Sequence, residues 1–184
     1  MQTEQQLLRS FSEGNTQAAE ALIQRFEDRL YNLCFRLTSN QHEAEDLFQQ
    51  TWLKVLQKSK TYTSKSFQNW LYTICLNVYR DSYRKDTRRS QLFADNQEEA
   101  MSRIASASGS AESQAVENIA QEALLVRISN LPDKLKLPIL LCYFEDLDYQ
   151  GIAQVLNIPI GTVKSRLNTA KNKLRTEMES QADG

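Results

Sequence analysis

Apolar residues recur at intervals of three and four along most of the chain, the spacing of one face of an α-helix. In the first half they predict four helices, separated at Gly14 and Asn15, at Ser39 to Gln41 and at the polar stretch Thr61 to Ser66. The stripes include, in chain order, Leu7, Leu8 and Phe11; Leu22, Phe26, Leu30, Leu33 and Leu37; Ala44, Leu47, Phe48, Trp52, Val55 and Leu56; and Phe67, Trp70, Leu71, Ile74, Val78 and Tyr79. We expect these four helices to bury a common core.

The pattern fails from about Arg88 to Val116, where the chain is acidic and rich in Ser, Ala and Glu. Such a segment cannot bury enough apolar surface to offset its chain entropy, so residues 90–116 are predicted to form a linker, with transient helix near Glu98 to Ile104. Periodicity resumes at Ile119 and continues to Leu174. The predicted fold class is therefore all-α, with two small helical domains joined by an acidic flexible linker.

The C-terminal domain is predicted to contain a helix-turn-helix. Asp148 is a suitable N-cap for a short helix, Tyr149 to Leu156. Asn157 suits a left-handed turn, and Pro159 suits the first turn of the next helix. Further upstream, Pro138 is expected to begin a preceding helix.

The second helix of this pair has a three-part surface. Val163, Leu167, Ala170 and Leu174 form an inward stripe, and the opposite face carries Ser165, Asn168, Thr169 and Asn172. Lys164 and Lys171 flank that face on one side, with Arg166 and Lys173 on the other. Short polar side chains between two rows of cations suit a helix lying between the phosphate walls of a DNA groove. The alternative is an ordinary amphipathic helix with a solvated exterior.

The net charge of −1 conceals segregated blocks of charge. Lys and Arg outnumber Asp and Glu by 9 to 2 over residues 51–90 and by 5 to 0 over 161–176, whereas 1–50 carry 4 against 8 and 91–122 carry 1 against 6. Binding to phosphates depends on local positive charge, so overall neutrality does not exclude a nucleic-acid partner.

Other candidate chemistry is sparse. Cys34, Cys75 and Cys142 each lie in an apolar stripe and are predicted to be structural thiols, and the single His42 leaves too few ligands for a Cys/His metal cluster. No P-loop, paired-carboxylate metal site or nucleophile elbow is present, so no enzyme activity, cofactor or metal is predicted. The start of the chain does not resemble a signal peptide, and no apolar run could span a membrane, which predicts a cytoplasmic protein without membrane insertion.

The segment from Leu131 to Leu174 resembles the C-terminal promoter-reading domain of RNA polymerase sigma factors of the sigma-70 family, above all the small extracytoplasmic function (ECF) subfamily. GTVKSRL, Gly161 to Leu167, is the densest match. The resemblance implies that this domain reads the minus-35 duplex through Pro159, Gly161, Thr162, Lys164, Ser165, Arg166, Asn168, Thr169 and Lys171.

Two motifs of the first half are similar to the same family. HEAEDLFQQTWLKVL, His42 to Leu56, is similar to the region that docks on RNA polymerase, and SFQNWLYTICLNVYRDSYRKDTRR, Ser66 to Arg89, resembles the region that melts DNA and reads the minus-10 element. The implied polymerase-binding residues are Glu43, Asp46, Leu47, Gln49, Gln50 and Trp52. The implied minus-10 residues are Tyr62, Lys65, Ser66, Phe67, Trp70, Asn77, Arg80, Arg84 and Lys85.

The resemblance implies a promoter-specificity subunit with residues 1–89 as the docking and minus-10 domain, 90–116 as the linker and 117–184 as the minus-35 domain. Its implied partners are core RNA polymerase, through the beta-prime and beta subunits, promoter DNA and an anti-sigma factor. Two alternatives belong to other classes: a stand-alone helix-turn-helix regulator that does not replace the resident sigma factor, and an enzyme acting on nucleic acid.

Overall fold

A computed structural model describes residues 4–63, 66–92 and 122–182, with side-chain environments for 6–63, 66–82 and 122–179. Within these ranges the regular structure is entirely helical, which confirms the all-α prediction. The helices are α1 Glu4–Ser12, α2 Thr16–Thr38, α3 Gln41–Gln57, a short 3₁₀ helix Ser59–Thr61, α4 Phe67–Leu92, α5 over 122–129, α6 Asp133–Tyr143, α7 Tyr149–Leu156 and α8 Ile160–Ala182. The chain forms two compact units, with α1 to α4 within Met1–Arg103 and α5 to α8 within Ile104–Gly184.

The linker prediction falls largely on residues 93–121, which lie outside the described residues, as does the predicted transient helix. At its N-terminal edge, α4 continues to Leu92, so the first three residues assigned to the linker are helical.

The N-terminal unit is built on α2, which packs along α3, while α3 also packs along α4. The Asn15 side chain caps α2 by accepting a hydrogen bond from the Ala18 amide at 3.1 Å. Ser39 adopts a left-handed conformation at the other end, and Asn40 caps α3 by accepting from the Glu43 amide at 3.1 Å. These caps place the chain breaks where the apolar pattern predicted them.

Aromatic rings connect three helices of this unit. Phe67, the first residue of α4, is 1% exposed, and its ring lies 5.7 Å from Phe11 of α1 and 5.2 Å from Phe26 of α2, measured between ring centroids. Edge and tilted contacts of this kind add about 0.5–1.5 kcal/mol to the burial itself. They fix the start of α4 against α1 and α2.

In the C-terminal unit the start of α6 differs from the prediction. The helix begins at Asp133 with Pro132 at its N-cap, and Pro138 lies inside it. A proline there removes one backbone donor. The extra turn is favoured because it buries Leu135 and Leu137, and because Asp133 is suitably charged for a helix N-terminus.

The helix-turn-helix follows the prediction closely. Helix α7 spans the predicted residues, and Asn157 has a left-handed backbone with φ of 53°. Pro159 immediately precedes α8 rather than lying in its first turn, and its carbonyl accepts from the Thr162 and Val163 amides at 2.9 and 3.1 Å. The turn therefore sets α8 beside α7 through backbone geometry.

Replacing Asp148 with Ala is expected to destabilise the C-terminal unit by about 1 kcal/mol. Its carboxylate caps α7 by accepting from the Gly151 amide at 2.7 Å. Denaturant unfolding of the full chain measures the change. Asp148→Asn keeps an accepting oxygen and serves as the matched control; equal stability of the two variants would show that the cap contributes nothing.

The three cysteines are free thiols. Cys34 and Cys75 are buried with their Sγ atoms 3.8 Å apart, linking α2 to α4 in the core. Burial raises the pKa of the Cys142 thiol, and the neighbouring Lys171 charge partly offsets that rise. Within the described parts of the chain, no cluster of three or more His, Cys, Asp or Glu side chains could hold a metal ion. Among those same residues, no helix is long and apolar enough to cross a membrane.

Candidate functional site

Helix α8 presents the surface predicted to contact DNA. Val163, Leu167, Ala170 and Leu174 are buried, as predicted, and anchor the helix on α6 and α7. The predicted minus-35 residues lie on its other faces: Pro159, Gly161, Lys164, Ser165, Asn168, Thr169 and Lys171 are exposed, and Thr162 and Arg166 are half-buried. A Cβ added at Gly161 would meet no other atom within 4 Å, so this position is open for close approach of a ligand.

The polar face of α8 is partly organised by its own hydrogen bonds. The Thr169 hydroxyl donates to the Ser165 carbonyl at 2.9 Å. That bond uses the only hydroxyl proton of Thr169, so its remaining capacity is to accept a hydrogen bond and to present its methyl group. The Ser165 and Asn168 side chains keep donors and acceptors for base edges.

The flanking cations are available for phosphates. Among the described residues, Lys164, Arg166 and Lys171 make no ion pair, whereas Arg175 lies 4.0 Å from the Glu179 carboxylate. Because Lys171 acts on the Cys142 thiol, it lies on the flank of α8 nearest α6. The N-terminal half of α8 thus places cations beside the polar face without engaging them in ion pairs to any described side chain.

Helix α3 separates the predicted polymerase-binding residues into two sets. Glu43, Asp46, Gln49 and Gln50 are exposed, while Leu47 and Trp52 are 5% and 6% exposed and belong to the core. Trp52 packs edge-on against Phe48 at 6.3 Å between ring centroids. Leu47 and Trp52 therefore support the helix from below rather than offering surface.

Two exposed leucines extend the α3 face, and the sequence reasoning missed them. Leu53 and Leu56 are 59% and 41% exposed. The steps of three or four residues from Asp46 through Gln49 and Leu53 to Leu56 place all four on one side of the helix. An acidic and amide surface with an apolar end suits a protein partner that has basic and apolar groups.

The predicted minus-10 residues surround the start of α4. The Tyr62 ring lies 5.0 Å from Trp70 and 5.9 Å from Phe67, between centroids. Tyr62 and Trp70 are half-buried, so part of each ring faces outward, whereas the Phe67 ring is enclosed and acts by fixing the loop. The Ser66 hydroxyl accepts from the Asn69 amide at 3.3 Å, so part of its hydrogen-bonding capacity is used in the helix start.

The remaining minus-10 residues lie further along α4 or outside the described side chains. Asn77 is exposed and Arg80 is half-buried. Lys65 lies outside the described residues, and Arg84 and Lys85 lie in the helical backbone of α4 without described side chains.

The fold thus combines a helix-turn-helix unit with a second helical unit that has an acidic face and an aromatic and cationic face. Residues 22–89 match the family described as sigma-70 region 2, and residues 121–174 match sigma-70 region 4.

Named relatives agree with these matches. The chain is 30% identical over 156 residues to the ECF RNA polymerase sigma factor SigE of Mycolicibacterium smegmatis, with 85% of this chain and 60% of that protein covered. It is 29% identical over 176 residues to the ECF RNA polymerase sigma factor SigW of Bacillus subtilis, covering 93% and 94% of the two chains. The chain thus spans about three fifths of the first relative and nearly all of the second.

A solved structure shares the fold. It is a complex of the sigma factor RpoE with the anti-sigma factor NepR from Bartonella quintana, and its sigma factor superposes with a TM-score of 0.72 at 24% identity over 87% of this chain and 96% of that one. The chain belongs to the sigma-70 family, in the group of ECF RNA polymerase sigma factors.

Proposed function

We propose that this protein binds core RNA polymerase and directs it to promoters by contacting the minus-10 and minus-35 elements, without chemistry of its own. The observation that carries the proposal is the presence, in one chain and in order, of sequence matching sigma-70 region 2 and region 4. A stand-alone helix-turn-helix regulator has no need of the first region. We infer that the protein works in the cytoplasm, where the polymerase is.

The N-terminal unit, residues 1–89, is proposed to dock on the beta-prime clamp of the polymerase. The exposed face of Glu43, Asp46, Gln49 and Gln50 would meet a basic partner surface, and Leu53 would add apolar contact. The family resemblance also supplies the beta subunit as a polymerase contact and an anti-sigma factor as a competing partner.

The same unit is proposed to hold the melted minus-10 strand beside α4. Unpaired bases bind to aromatic faces within a cationic groove. The half-exposed rings of Tyr62 and Trp70 supply the faces, and Arg80 supplies a cation. Lys65, Arg84 and Lys85 are proposed to add positive charge along the strand.

The C-terminal unit, residues 117–184, is proposed to place α8 in the major groove of the minus-35 duplex. Ser165, Asn168 and Thr169 would face base edges, with Lys164 and Arg166 toward the phosphates on either side. The segment 90–116 is proposed to connect the two units as an acidic linker.

Heparin challenge of polymerase–DNA complexes tests this proposal. Core polymerase with the full chain is expected to retain particular genomic fragments, whereas neither component alone retains them. Fragments held by the chain without polymerase would instead support the stand-alone regulator. Modification or cleavage of the DNA by the chain alone would support the enzyme.

Lys164→Ala and Ser165→Ala are expected to affect duplex binding differently. Removing one phosphate-binding cation should weaken binding to all sequences and reduce the salt slope by about 0.9, whereas removing a base-edge hydrogen bond should change the preferred sequence. Binding of holoenzyme to selected minus-35 duplexes at several salt concentrations measures both effects. Arg175→Ala, which removes an already paired cation of the same helix, is the matched control. Unchanged binding by both Lys164 and Ser165 variants would contradict the assignment of α8.

A further inference from the structure

A cleft of about 400 Å³ lies between the C-terminal part of α3 and the middle of α4. It is lined by Lys54, Lys58, Ile74, Asn77, Arg80 and Asp81. Lys54 and Lys58 are four residues apart, and the α4 residues follow at steps of three or four, so one row from each helix borders the cleft. Its volume falls at the low end of the range of about 300–1,000 Å³ typical of small-molecule sites.

The charges in the cleft are only partly compensated. The Lys54 ammonium lies 3.7 Å from the Asp81 carboxylate, which joins α3 to α4 across the cleft. Lys58 and Arg80 have no ion-pair partner among the described residues. Within the described part of the chain, these two cations are therefore available to bind an anion.

The other lining groups suit a planar heterocycle. Asn77 is exposed and offers both a donor and an acceptor, while ionised Asp81 can only accept. Ile74 is buried and gives the cleft an apolar wall. An anion joined to a flat ring with hydrogen-bonding edges is the chemistry of a nucleotide.

We propose that this cleft binds one unpaired nucleotide of the promoter strand, with its phosphate against Lys58 and Arg80 and its base edge against Asn77 and Asp81. The inference rests on the proposed function and adds Lys54, Lys58 and Asp81 to the DNA-contacting surface. It places this nucleotide apart from the Tyr62 to Phe67 loop. The Asp81 carboxylate accepts a hydrogen bond from an exocyclic amine, so the site favours cytosine, adenine or guanine over thymine. The Lys54 ion pair positions that carboxylate.

Selection from a randomised single-stranded DNA library by the holoenzyme tests the proposal. Sequencing of the bound strands should show thymine depleted at one position with the wild-type chain. Asp81→Asn should remove this depletion and leave the preferences at other positions. Glu20→Gln, an exposed change of the same charge on α2, should leave the whole profile unchanged. Should the Asn variant melt early, Asp81→Ser supplies the same test.

The phosphate-binding cations have a separate readout. The double variant Lys58→Ala, Arg80→Ala should bind all strands more weakly, with a salt slope lower by about 0.7 for each phosphate that the chain no longer neutralises. A wild-type profile with Asp81→Asn, or an unchanged slope with the double variant, would overturn the nucleotide site. Displacement of the strand by equimolar free cytidine monophosphate would also overturn it, because the ligand would then be a free nucleotide. Failure of the holoenzyme to form would instead contradict the proposed function.

Discussion

Asp46→Arg is expected to lower the affinity of the chain for core RNA polymerase by about 100-fold or more. Asp46 is exposed at the centre of the α3 face, between Glu43 and Gln50. Placing a cation there against a basic partner would cost several kcal/mol, and each 1.4 kcal/mol is a factor of about ten in affinity. Because the side chain is exposed, the fold should be retained. Co-purification with core polymerase, together with thermal unfolding, measures both quantities.

The matched control is Glu20→Arg, the same charge reversal at an exposed position of α2. It should co-purify normally if the effect belongs to the α3 face rather than to net charge. Leu53→Ala is expected to weaken association less, since it removes apolar contact without introducing repulsion. Normal co-purification of the Asp46 variant would exclude α3 as the docking site.

Leu167→Ala is expected to destabilise the C-terminal unit by about 2–5 kcal/mol. Leu167 is fully buried in the stripe that anchors α8. A domain of this size has a total stability of only a few kcal/mol, so the substitution should leave α8 largely unprotected. Hydrogen exchange of the full chain should show protection of α8 lowered by at least about 30-fold, with α2 and α3 unaffected.

Met178→Ala removes a large side chain from an exposed site on the same helix and is the matched control. Its effect should stay within about 0.5 kcal/mol. Minus-35 duplex binding should fall with Leu167→Ala and persist with Met178→Ala. Retained protection of α8 in the Leu167 variant would show that the helix does not depend on this core.

The helix-turn-helix could be predicted residue by residue because its signals are local. Asp148 caps a helix through its own side chain, and Asn157 tolerates a left-handed backbone wherever the chain needs one. Such signals do not depend on the rest of the fold. The predicted start of α6 was wrong because Pro138 is a local breaker, whereas burial of Leu135 and Leu137 is a tertiary effect that outweighs it.

The functional faces were less predictable where they depend on packing between helices. Periodicity placed Leu47 and Trp52 on the apolar stripe, and the resemblance also assigned them to polymerase binding, yet only the fold shows that they are enclosed while Leu53 is exposed. The cleft between α3 and α4 was missed altogether. Lys54 and Asp81 are distant in sequence, and no spacing rule brings them together.

The central claim is that this chain gives core polymerase its promoter specificity, and single-round transcription tests it most directly. Purified core polymerase, the full chain and a library of genomic fragments should yield RNAs whose 5′ ends follow shared minus-35 and minus-10 sequences. Omission of the chain, or use of Asp46→Arg, should abolish those RNAs. Unchanged RNA without the chain, or no RNA despite a stable complex with core polymerase, would contradict the account.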